Sequence, residues 1–373
     1  MSLSQYDLNK IKKIKPSFVL NKVLAKKNIS IIKKIYFFML RLRMIEQSLA
    51  DEYHPADQMR CPVHFCIGQE AMPAALSLLI KKNDFLFCHH RSHGYYLAKG
   101  GPSKFMFAEL YGKVSGSNQG FAGSQDISYS EKNFYAGAIL AGSIGIATGN
   151  ALAQKINKSR NIVFTCFGES ATDQGIFWES LNYASLNSLP LVFICENNNY
   201  SVYSPQSKRQ SGKSIAEKAK NFGVESIQIN GNDAYNAYQV VKKIIYNIKK
   251  KPQPYLIEAF TSRLSSHYGP GDDSNIGYRE KNDLDFWTNN CPIKSIEKLK
   301  LIPNQIKNNY LKLINKEIKN SFIFAKKSKF IKSVNWIEVN YSKPEHITKI
   351  KDSKIYTKKK KISENNFFQP KGY

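Results

Sequence analysis

Two short apolar runs in the middle of the chain lack the alternation of polar and apolar positions that marks a half-exposed strand. They are residues 161–167 (NIVFTCF) and residues 190–195 (PLVFIC). Such runs are typical of parallel strands that are buried on both faces. Between them, residues 174–188 have the length of a helix and place Phe177 and Leu181 on one face. Strand, helix and parallel strand in this order predict one right-handed crossover of an α/β sheet.

A polar residue that can bind a metal follows each of these two runs. Glu169 comes directly after the first run, and Asn198 comes shortly after the second. The carboxyl ends of parallel strands meet at one edge of a sheet, where phosphorylated ligands bind. Magnesium takes a few protein oxygens at such a place, together with phosphate oxygens. Two interpretations stay open on spacing alone: a magnesium-diphosphate site, or an ordinary strand–helix–strand unit in which both are loop residues.

Residues 167–204 (FGESATDQGIFWESLNYASLNSLPLVFICENNNYSVYS) resemble the thiamin-diphosphate motif, which runs from Gly-Asp-Gly to a pair of asparagines. More narrowly, they resemble the alpha subunit of the thiamin-diphosphate-dependent 2-oxo acid dehydrogenase component of the pyruvate, acetoin and branched-chain types. The resemblance implies an α/β fold with a doubly wound, mostly parallel sheet, the transketolase-like thiamin-diphosphate-binding fold. It also implies two cofactors, thiamin diphosphate and magnesium.

The resemblance assigns roles to residues of this segment. It implies that magnesium is bound by the side chains of Glu169 and Asn198 and by the main-chain carbonyl of Tyr200. The usual Gly-Asp-Gly is Gly-Glu-Ser here, and glutamate also occurs at this position in branched-chain members. The serine places a Cβ where glycine lets the backbone approach a phosphate. The turn residues implied to lie against the diphosphate are Gly168, Ser170 and Ala171.

Four further blocks match the family in the same order along the chain, and the last is the segment 261–279 described below. Residues 66–71 (CIGQEA) resemble its Gly-Gln-Glu-Ala helix start. The next block is residues 90–94 (HRSHG). In it, His90 is implied to contact the cofactor and Arg91 to hold a diphosphate oxygen, for which a guanidinium fork is suited. Taken alone, His90 and His93 are more simply structural histidines, and the role of His93 stays open.

The third block is residues 138–149 (AILAGSIGIATG). Ala138 and Leu140 fall at the positions that bind the aminopyrimidine and support the bent cofactor. The glycines in this block recur at helical spacing, so close packing of a helix is the alternative and main interpretation for them.

A glycine- and serine-rich segment, residues 261–279, follows the predicted strand 255–260 and is predicted to be a surface loop. By resemblance, His267 approaches the diphosphate and the reacting centre, which makes it the candidate catalytic residue. The end of this loop matches an Asp…Tyr-Arg pattern that folds the loop over the site. The matching residues are Asp272, Asp273, Tyr278 and Arg279.

The family resemblance also implies partners. In split members of this family, the glutamate that activates the cofactor belongs to a beta subunit, and we expect this chain alone to be catalytically silent. The implied activity is oxidative decarboxylation of a 2-oxo acid by an alpha2-beta2 assembly, with acyl transfer to the lipoyl group of an acyltransferase. The alternative is a degenerate homologue that keeps the fold as a binding or structural subunit. The choice among pyruvate, acetoin and branched-chain substrates stays open.

The resemblance also divides the chain into three segments. Residues 1–35 are predicted to be a basic helical arm, and residues 36–330 the thiamin-diphosphate-binding domain, which opens with an amphipathic helix at residues 36–44. Residues 331–373 match nothing in the family. Their lysine, serine and asparagine content predicts a basic tail that is disordered or binds a partner.

Composition and charge limit the remaining function classes. The net charge of +26 raises nucleic-acid binding as a possibility, but no zinc-finger spacing or aromatic-basic motif accompanies it. An acidic protein partner explains the charge equally well. No run reaches the roughly 18 apolar residues of a membrane span, and the N-terminus lacks the pattern of a signal peptide. The six cysteines show no Cys-x-x-Cys pairing. We therefore expect a cytoplasmic protein with reduced thiols.

Overall fold

The computed structural model describes residue 14 and residues 22–56, 59, 61–212, 214–271, 273, 276–279 and 281–331. Asp272, most of the predicted arm before residue 22 and the predicted tail from residue 332 lie outside these residues. The helices and strands below belong to one compact unit that ends at Phe330.

The centre of this unit is a sheet of six strands, each paired in parallel with its neighbours. The order across the sheet is β2-β1-β3-β4-β8-β7, and a separate antiparallel pair is formed by β5 and β6. The strands are β1 (Phe85–Cys88), β2 (Phe134–Ala136), β3 (Val163–Gly168), β4 (Leu191–Asn197), β5 (Tyr200–Ser201), β6 (Ser204–Pro205), β7 (Glu225–Asn230) and β8 (Tyr255–Phe260).

Helices precede, connect and follow the strands. They are α1 (Lys22–Lys27), α2 (Ile29–Ala56), α3 (Ala71–Ser77), α4 (His93–Ala98), α5 (Ser103–Leu110), α6 (Gly142–Ile156), α7 (Gly175–Leu186), α8 (Gln206–Arg209), α9 (Ile215–Lys220), α10 (Ala234–Lys250), α11 (Lys281–Asn289), α12 (Pro292–Glu297) and α13 (Asn304–Lys327). A 3₁₀ turn, Glu169–Asp173, joins β3 to α7.

The two apolar runs are buried because their side chains pack into two separate hydrophobic cores, one on each face of the sheet. Successive residues of a strand point to opposite faces of the sheet. Phe164 and Ile194 belong to the core that contains helices α2, α3 and α10. Val163 and Phe193 belong to the core that contains helices α6, α7 and α9. Both faces are thus covered by helices, which confirms the predicted doubly wound parallel sheet and explains the absence of polar alternation.

The main differences from prediction are at element boundaries. The helix expected to open at Tyr36 begins at Ile29 instead, so α2 crosses the boundary placed after residue 35. The helix in residues 138–149 begins only at Gly142 and runs on to Ile156. Gly142 follows Ala141, whose positive φ of 62° turns the chain into the helix. Ala138 and Leu140 therefore lie on the segment before α6.

Two chemical expectations can be compared with the structure. All six cysteines are free thiols, as predicted. Across the described part of the chain, the helices are all too short or too polar to cross a membrane.

Candidate functional site

A cavity of about 270 Å³ lies at the carboxyl ends of β1, β3 and β4. It brings together ten of the eleven predicted site residues, which come from five separate segments of the chain. These are His90, Arg91, Ala138, Leu140, Gly168, Glu169, Ser170, Asn198, Tyr200 and His267. Four segments are anchored at strand ends, so the parallel sheet itself is what makes distant residues converge.

Ala171 is the predicted site residue that does not line this cavity. It is buried in the apolar core under the 3₁₀ turn, together with Phe167 and Phe177. The turn directs its methyl group into the protein interior. Its predicted contact with a diphosphate therefore stays a prediction about its main chain.

Glu169 is buried at the start of the 3₁₀ turn and is paired with a cation from a later segment. Nη2 of Arg209 donates to Oε1 of Glu169 at 2.5 Å, and Nη1 of Arg209 donates to Asp173. Burial raises the pKa of the Glu169 carboxyl, and the adjacent Arg209 guanidinium opposes this shift. Glu169, the predicted magnesium ligand, is thus paired with the Arg209 guanidinium in this structure.

Asn198 and Tyr200 lie on a tight turn that directly follows β4. The Asn198 side-chain oxygen accepts a hydrogen bond from the main-chain N–H of Tyr200 at 3.1 Å. Between them, Asn199 has a positive φ of 70°, a conformation that asparagine tolerates better than most residues. Val202 also has a positive φ, of 54°, which is strained for a β-branched residue. Arg263 holds this turn by donating to the carbonyl of Val202 at 2.7 Å.

Arg91 is fully buried and links two walls of the cavity. Its guanidinium donates to the carbonyl oxygens of Phe65 at 2.6 Å and His267 at 2.8 Å. Burial and the nearby Arg263 lower the pKa of Arg91 to about 10, so it stays charged at neutral pH. A guanidinium has five N–H donors, which leaves donors for an anion in the cavity.

His64, His90 and His267 surround Arg91 and are kept neutral. Burial is the largest cause in each case, and the charge of Arg91 adds to it. The pKa of His64 falls to about 3 and that of His267 to about 4, while that of His90 lies well below its usual range. The cavity therefore offers uncharged imidazoles beside one fixed positive charge.

His93, whose role the sequence left open, lies outside the cavity. Its Nδ1 pairs with Oε1 of Glu46 at 2.8 Å, and its Nε2 pairs with the Ser124 hydroxyl at 2.9 Å. This is the hydrogen-bond order of a Ser-His-acid triad, but all three residues are fully buried, so no substrate can reach the serine. The Ser124 oxygen also accepts from the main-chain N–H of His64. His93 thus supports the segment that carries His64.

The loop after β8 is held by a buried charge cluster. The Asp273 carboxylate accepts from Arg263 at 2.7 Å and from Arg279 at 2.8 Å, and also from the Tyr278 hydroxyl. Arg279 in turn donates to the carbonyl of Arg263 at 2.8 Å. These contacts join both ends of the loop that carries His267. Three of the four residues of the Asp…Tyr-Arg pattern thus take part in one cluster, and Asp272 lies outside the described residues.

Six residues of the site do not appear among the sequence predictions. Arg209 pairs with Glu169 beside the cavity. The other five line the cavity: His64, His89, Gln125, Ser201 and Val202. His64 lies two positions before the matched block CIGQEA, so closer attention to the flank of that block would have found it. Arg209 lies in a lysine-rich polar stretch that gives no signal of its own.

Comparison with known proteins identifies the family. Residues 38–333 match the family described as "Dehydrogenase E1 component". The pyruvate dehydrogenase E1 component subunit alpha of Rickettsia bellii is 32% identical over 267 residues, which cover 71% of this chain and 81% of that protein. The alpha subunit of acetoin:2,6-dichlorophenolindophenol oxidoreductase of Bacillus subtilis is 33% identical over 207 residues, or 55% of this chain and 62% of that protein.

A solved structure supports the same fold. The transketolase of Campylobacter jejuni superimposes with a TM-score of 0.52 at 17% identity, over 80% of this chain. The match covers 49% of the transketolase chain, so this chain corresponds to about half of that protein. The fold is therefore transketolase-like. The relatives named above are alpha subunits of pyruvate dehydrogenase and of acetoin:2,6-dichlorophenolindophenol oxidoreductase, and this chain belongs with them to the dehydrogenase E1 component family.

Proposed function

We propose that this chain is the alpha subunit of a heteromeric, thiamin-diphosphate-dependent 2-oxo acid dehydrogenase of the pyruvate or acetoin type. Its reaction would be oxidative decarboxylation with acyl transfer to a lipoyl group. The observation that carries the proposal is the convergence of Glu169, Asn198 and Tyr200 with Arg91 and His267 around one cavity. Oxygen ligands on one side and a guanidinium with neutral imidazoles on the other are suited to a magnesium-bound diphosphate.

In this proposal each wall of the cavity has one task. Magnesium would be held by Glu169, Asn198 and the main-chain oxygen of Tyr200. The diphosphate would lie along Gly168, where a Cβ would meet nothing within 4 Å, and against Arg91. Ser170, Ala171 and His90 complete the predicted diphosphate and cofactor contacts, and Ala138 and Leu140 those to the aminopyrimidine. When bound, thiamin diphosphate supplies the carbanion-stabilising chemistry that decarboxylation needs.

His267 is the proposed catalytic residue because it lies in the cavity on a loop held by Asp273. Its imidazole is neutral, so it can accept a proton or a hydrogen bond from a reacting group. Much of the electrostatic part of its low pKa comes from Arg91 and Arg263. A diphosphate paired with Arg91 would offset that charge and bring the pKa of His267 closer to its usual value.

An exposed apolar face at the starts of helices α6 and α7 supports the requirement for a second chain. Ile139 is 79% exposed, Ile146 is 65% exposed and Ile176 is 40% exposed. Leu140 is also exposed and lines the cavity, and Ile176 lies against Gly145 of α6. Large exposed apolar patches mark protein interaction sites. We propose that the beta subunit covers this face and contributes the remaining cavity wall and the activating glutamate.

The cavity volume agrees with a half-site. At about 270 Å³ it is smaller than the roughly 300–1,000 Å³ of typical ligand pockets. The proposed assembly is alpha2-beta2, and the lipoyl acyltransferase of the complex would take the acyl group. The net charge of +26 is suited to acidic surfaces on such partners. We place the assembly in the cytoplasm, where free thiols stay reduced.

A catalytically degenerate homologue is the alternative, favoured by Ser170 at a position where the family has glycine. The two functions differ in cofactor binding. Calorimetric titration of thiamin diphosphate into this chain mixed with its beta chain is expected to show saturable binding that requires magnesium. The mixture, and neither chain alone, is expected to decarboxylate a 2-oxo acid. Absence of metal-dependent binding in the mixture would leave only the structural subunit.

The pairing of Arg209 with Glu169 leads to a prediction about metal affinity. Arg209 pairs with Oε1 of the carboxylate that would bind magnesium, and the two cations repel each other, so we expect Arg209 to oppose metal binding. Arg209→Gln is therefore expected to tighten magnesium binding by about tenfold, the effect of removing an ion pair worth about 1.4 kcal/mol. The measurement is a magnesium titration at saturating thiamin diphosphate, at mildly alkaline pH so that the Glu169 carboxyl is ionised.

Arg209→Lys is the matched control because it keeps the positive charge near Asp173 and Glu169. It is expected to remain close to the unmodified chain. If Arg209→Gln instead weakened magnesium binding, Arg209 would be a supporting residue of the loaded site and not a competitor.

A further inference from the structure

Three histidines from distant segments meet at one end of the cavity. His64 lies ahead of α3, His90 follows β1 and His267 lies on the loop after β8. The ring centroid of His64 lies 4.7 Å from that of His90 and 5.1 Å from that of His267. The centroids of His90 and His267 are 5.5 Å apart. One nitrogen from each ring can be chosen so that the three lie within 4.8 Å of one another.

We propose that His64, His90 and His267 form a site for a transition-metal ion of the zinc class, separate from the oxygen ligands around Glu169. Three imidazoles with an open fourth position are a known zinc arrangement. Zinc–nitrogen bonds of about 2.0–2.1 Å set the nitrogens of a tetrahedral site about 3.3 Å apart. The rings must therefore move together by about 1 Å or more. Rotation of the imidazole side chains can supply this movement while the main chain of His267 stays bonded to Arg91.

The state of the rings favours metal binding. Nδ1 of His64 is buried and has no hydrogen-bond partner among the residues that the structure describes. A buried nitrogen without a partner carries a desolvation cost that a metal bond would remove.

Charged side chains near the three histidines and the type of ligand atom both affect which metal ion would bind. Arg91 and Arg263 are the cations near this cluster, and Glu196 and Glu46 lie close enough to Arg91 to offset part of its charge. His89, which neighbours His90, is paired with Glu196 at 3.8 Å. These opposite charges largely offset one another, so the ligand type determines the preference among metals. Magnesium prefers oxygen ligands, whereas three imidazole nitrogens favour ions whose bonds to nitrogen are strong, in the order Co²⁺ < Ni²⁺ < Cu²⁺ > Zn²⁺.

This inference goes beyond the proposed function, because the site needs neither thiamin diphosphate nor a beta subunit. It can be tested on the full chain after metal removal. Cobalt(II) is the probe, since four-coordinate cobalt shows strong visible absorption bands. We expect one cobalt ion per chain to produce these bands, zinc to abolish them by displacement, and excess magnesium to leave them unchanged.

His90→Tyr is the main variant because tyrosine keeps an aromatic ring and removes the imidazole ligand. Cobalt affinity is expected to fall by at least about tenfold, the lower limit for loss of a supporting group at a metal site. His267→Gln, on the loop, is the second variant and is expected to have the same effect if His90→Tyr folds poorly. His346→Gln, which removes a histidine near the C-terminus, is the matched control and is expected to bind as the unmodified chain does.

The site is rejected if cobalt gives no strong visible bands with the folded chain, or if both cavity variants bind it as tightly as the control. His90 and His267 also belong to the proposed cofactor site, so magnesium-dependent binding of thiamin diphosphate is measured separately, on the cobalt- and zinc-free chain with its beta chain. Its failure would reject the proposed function and leave the histidine site standing.

Discussion

Replacing Glu169 with glutamine is expected to weaken magnesium-dependent binding of thiamin diphosphate by about a hundredfold or more, equivalent to about 2.8 kcal/mol. The glutamine keeps the size of the side chain and one oxygen but removes the charge. Magnesium depends on charged oxygen ligands, and Asn198 and the main chain of Tyr200 are neutral. The measurement is calorimetry of thiamin diphosphate with the alpha–beta mixture over a range of magnesium concentrations.

Glu169→Asp is the matched control, because it restores the acidic residue of the usual Gly-Asp-Gly pattern. We expect it to stay within about tenfold of the unmodified chain, since the carboxylate is retained and only its reach is shortened. Thermal unfolding of both variants separates a binding effect from a folding effect. Equal binding by the unmodified chain and Glu169→Gln would remove Glu169 from the proposed metal site.

Replacing Asp273 with asparagine is expected to lower the free energy of unfolding by about 3–5 kcal/mol. The Asp273 carboxylate is fully buried and receives hydrogen bonds from two buried guanidinium groups, those of Arg263 and Arg279. Removing its charge leaves two positive charges in the interior without the carboxylate that they share. The measurement is equilibrium unfolding in denaturant. A second expected result is weaker cofactor binding, because this cluster holds the loop of His267.

Asp173→Asn provides the comparison for burial. Asp173 also pairs with an arginine, Arg209, but its side chain is 22% exposed. Exposed ion pairs contribute about 0–1 kcal/mol, so little stability should be lost. If the two aspartate variants lost similar stability, burial of the Asp273 cluster would not be the source of its effect.

The sheet could be predicted from sequence because its cause is local in the chain. A strand covered on both faces must be apolar at successive positions, and Val163, Phe164, Phe193 and Ile194 are apolar for that reason. The convergence of Glu169 and Asn198 also follows from local order, because each residue comes after a strand of one parallel pair. The helix start at Ile29 was missed because a basic segment gives no clear boundary.

The pairing of Glu169 with Arg209 could not be predicted in this way. It joins a turn after β3 to the short helix α8, and nothing in the sequence around Arg209 distinguishes it from a surface cation. The burial of the Ala171 side chain in the core could not be predicted from the thiamin-diphosphate motif either. Ser170, which precedes it, lines the cavity, but the geometry of the 3₁₀ turn directs the Ala171 methyl group into the core. The sequence left the role of His93 open, because its buried hydrogen-bond partners, Glu46 and Ser124, are distant in the chain.

The order of the strands has a consequence for how the chain folds. Neighbouring strands are far apart in sequence: Leu86 pairs with Phe164, and Val192 pairs with Tyr255. Long loops must close before such pairs gain their hydrogen bonds, so the sheet forms slowly compared with a helical bundle. Until it forms, apolar runs such as LVFIC are exposed and can pair with other chains. Recovery of this protein from the unfolded state should therefore depend on protein concentration more than on the stability of the finished sheet.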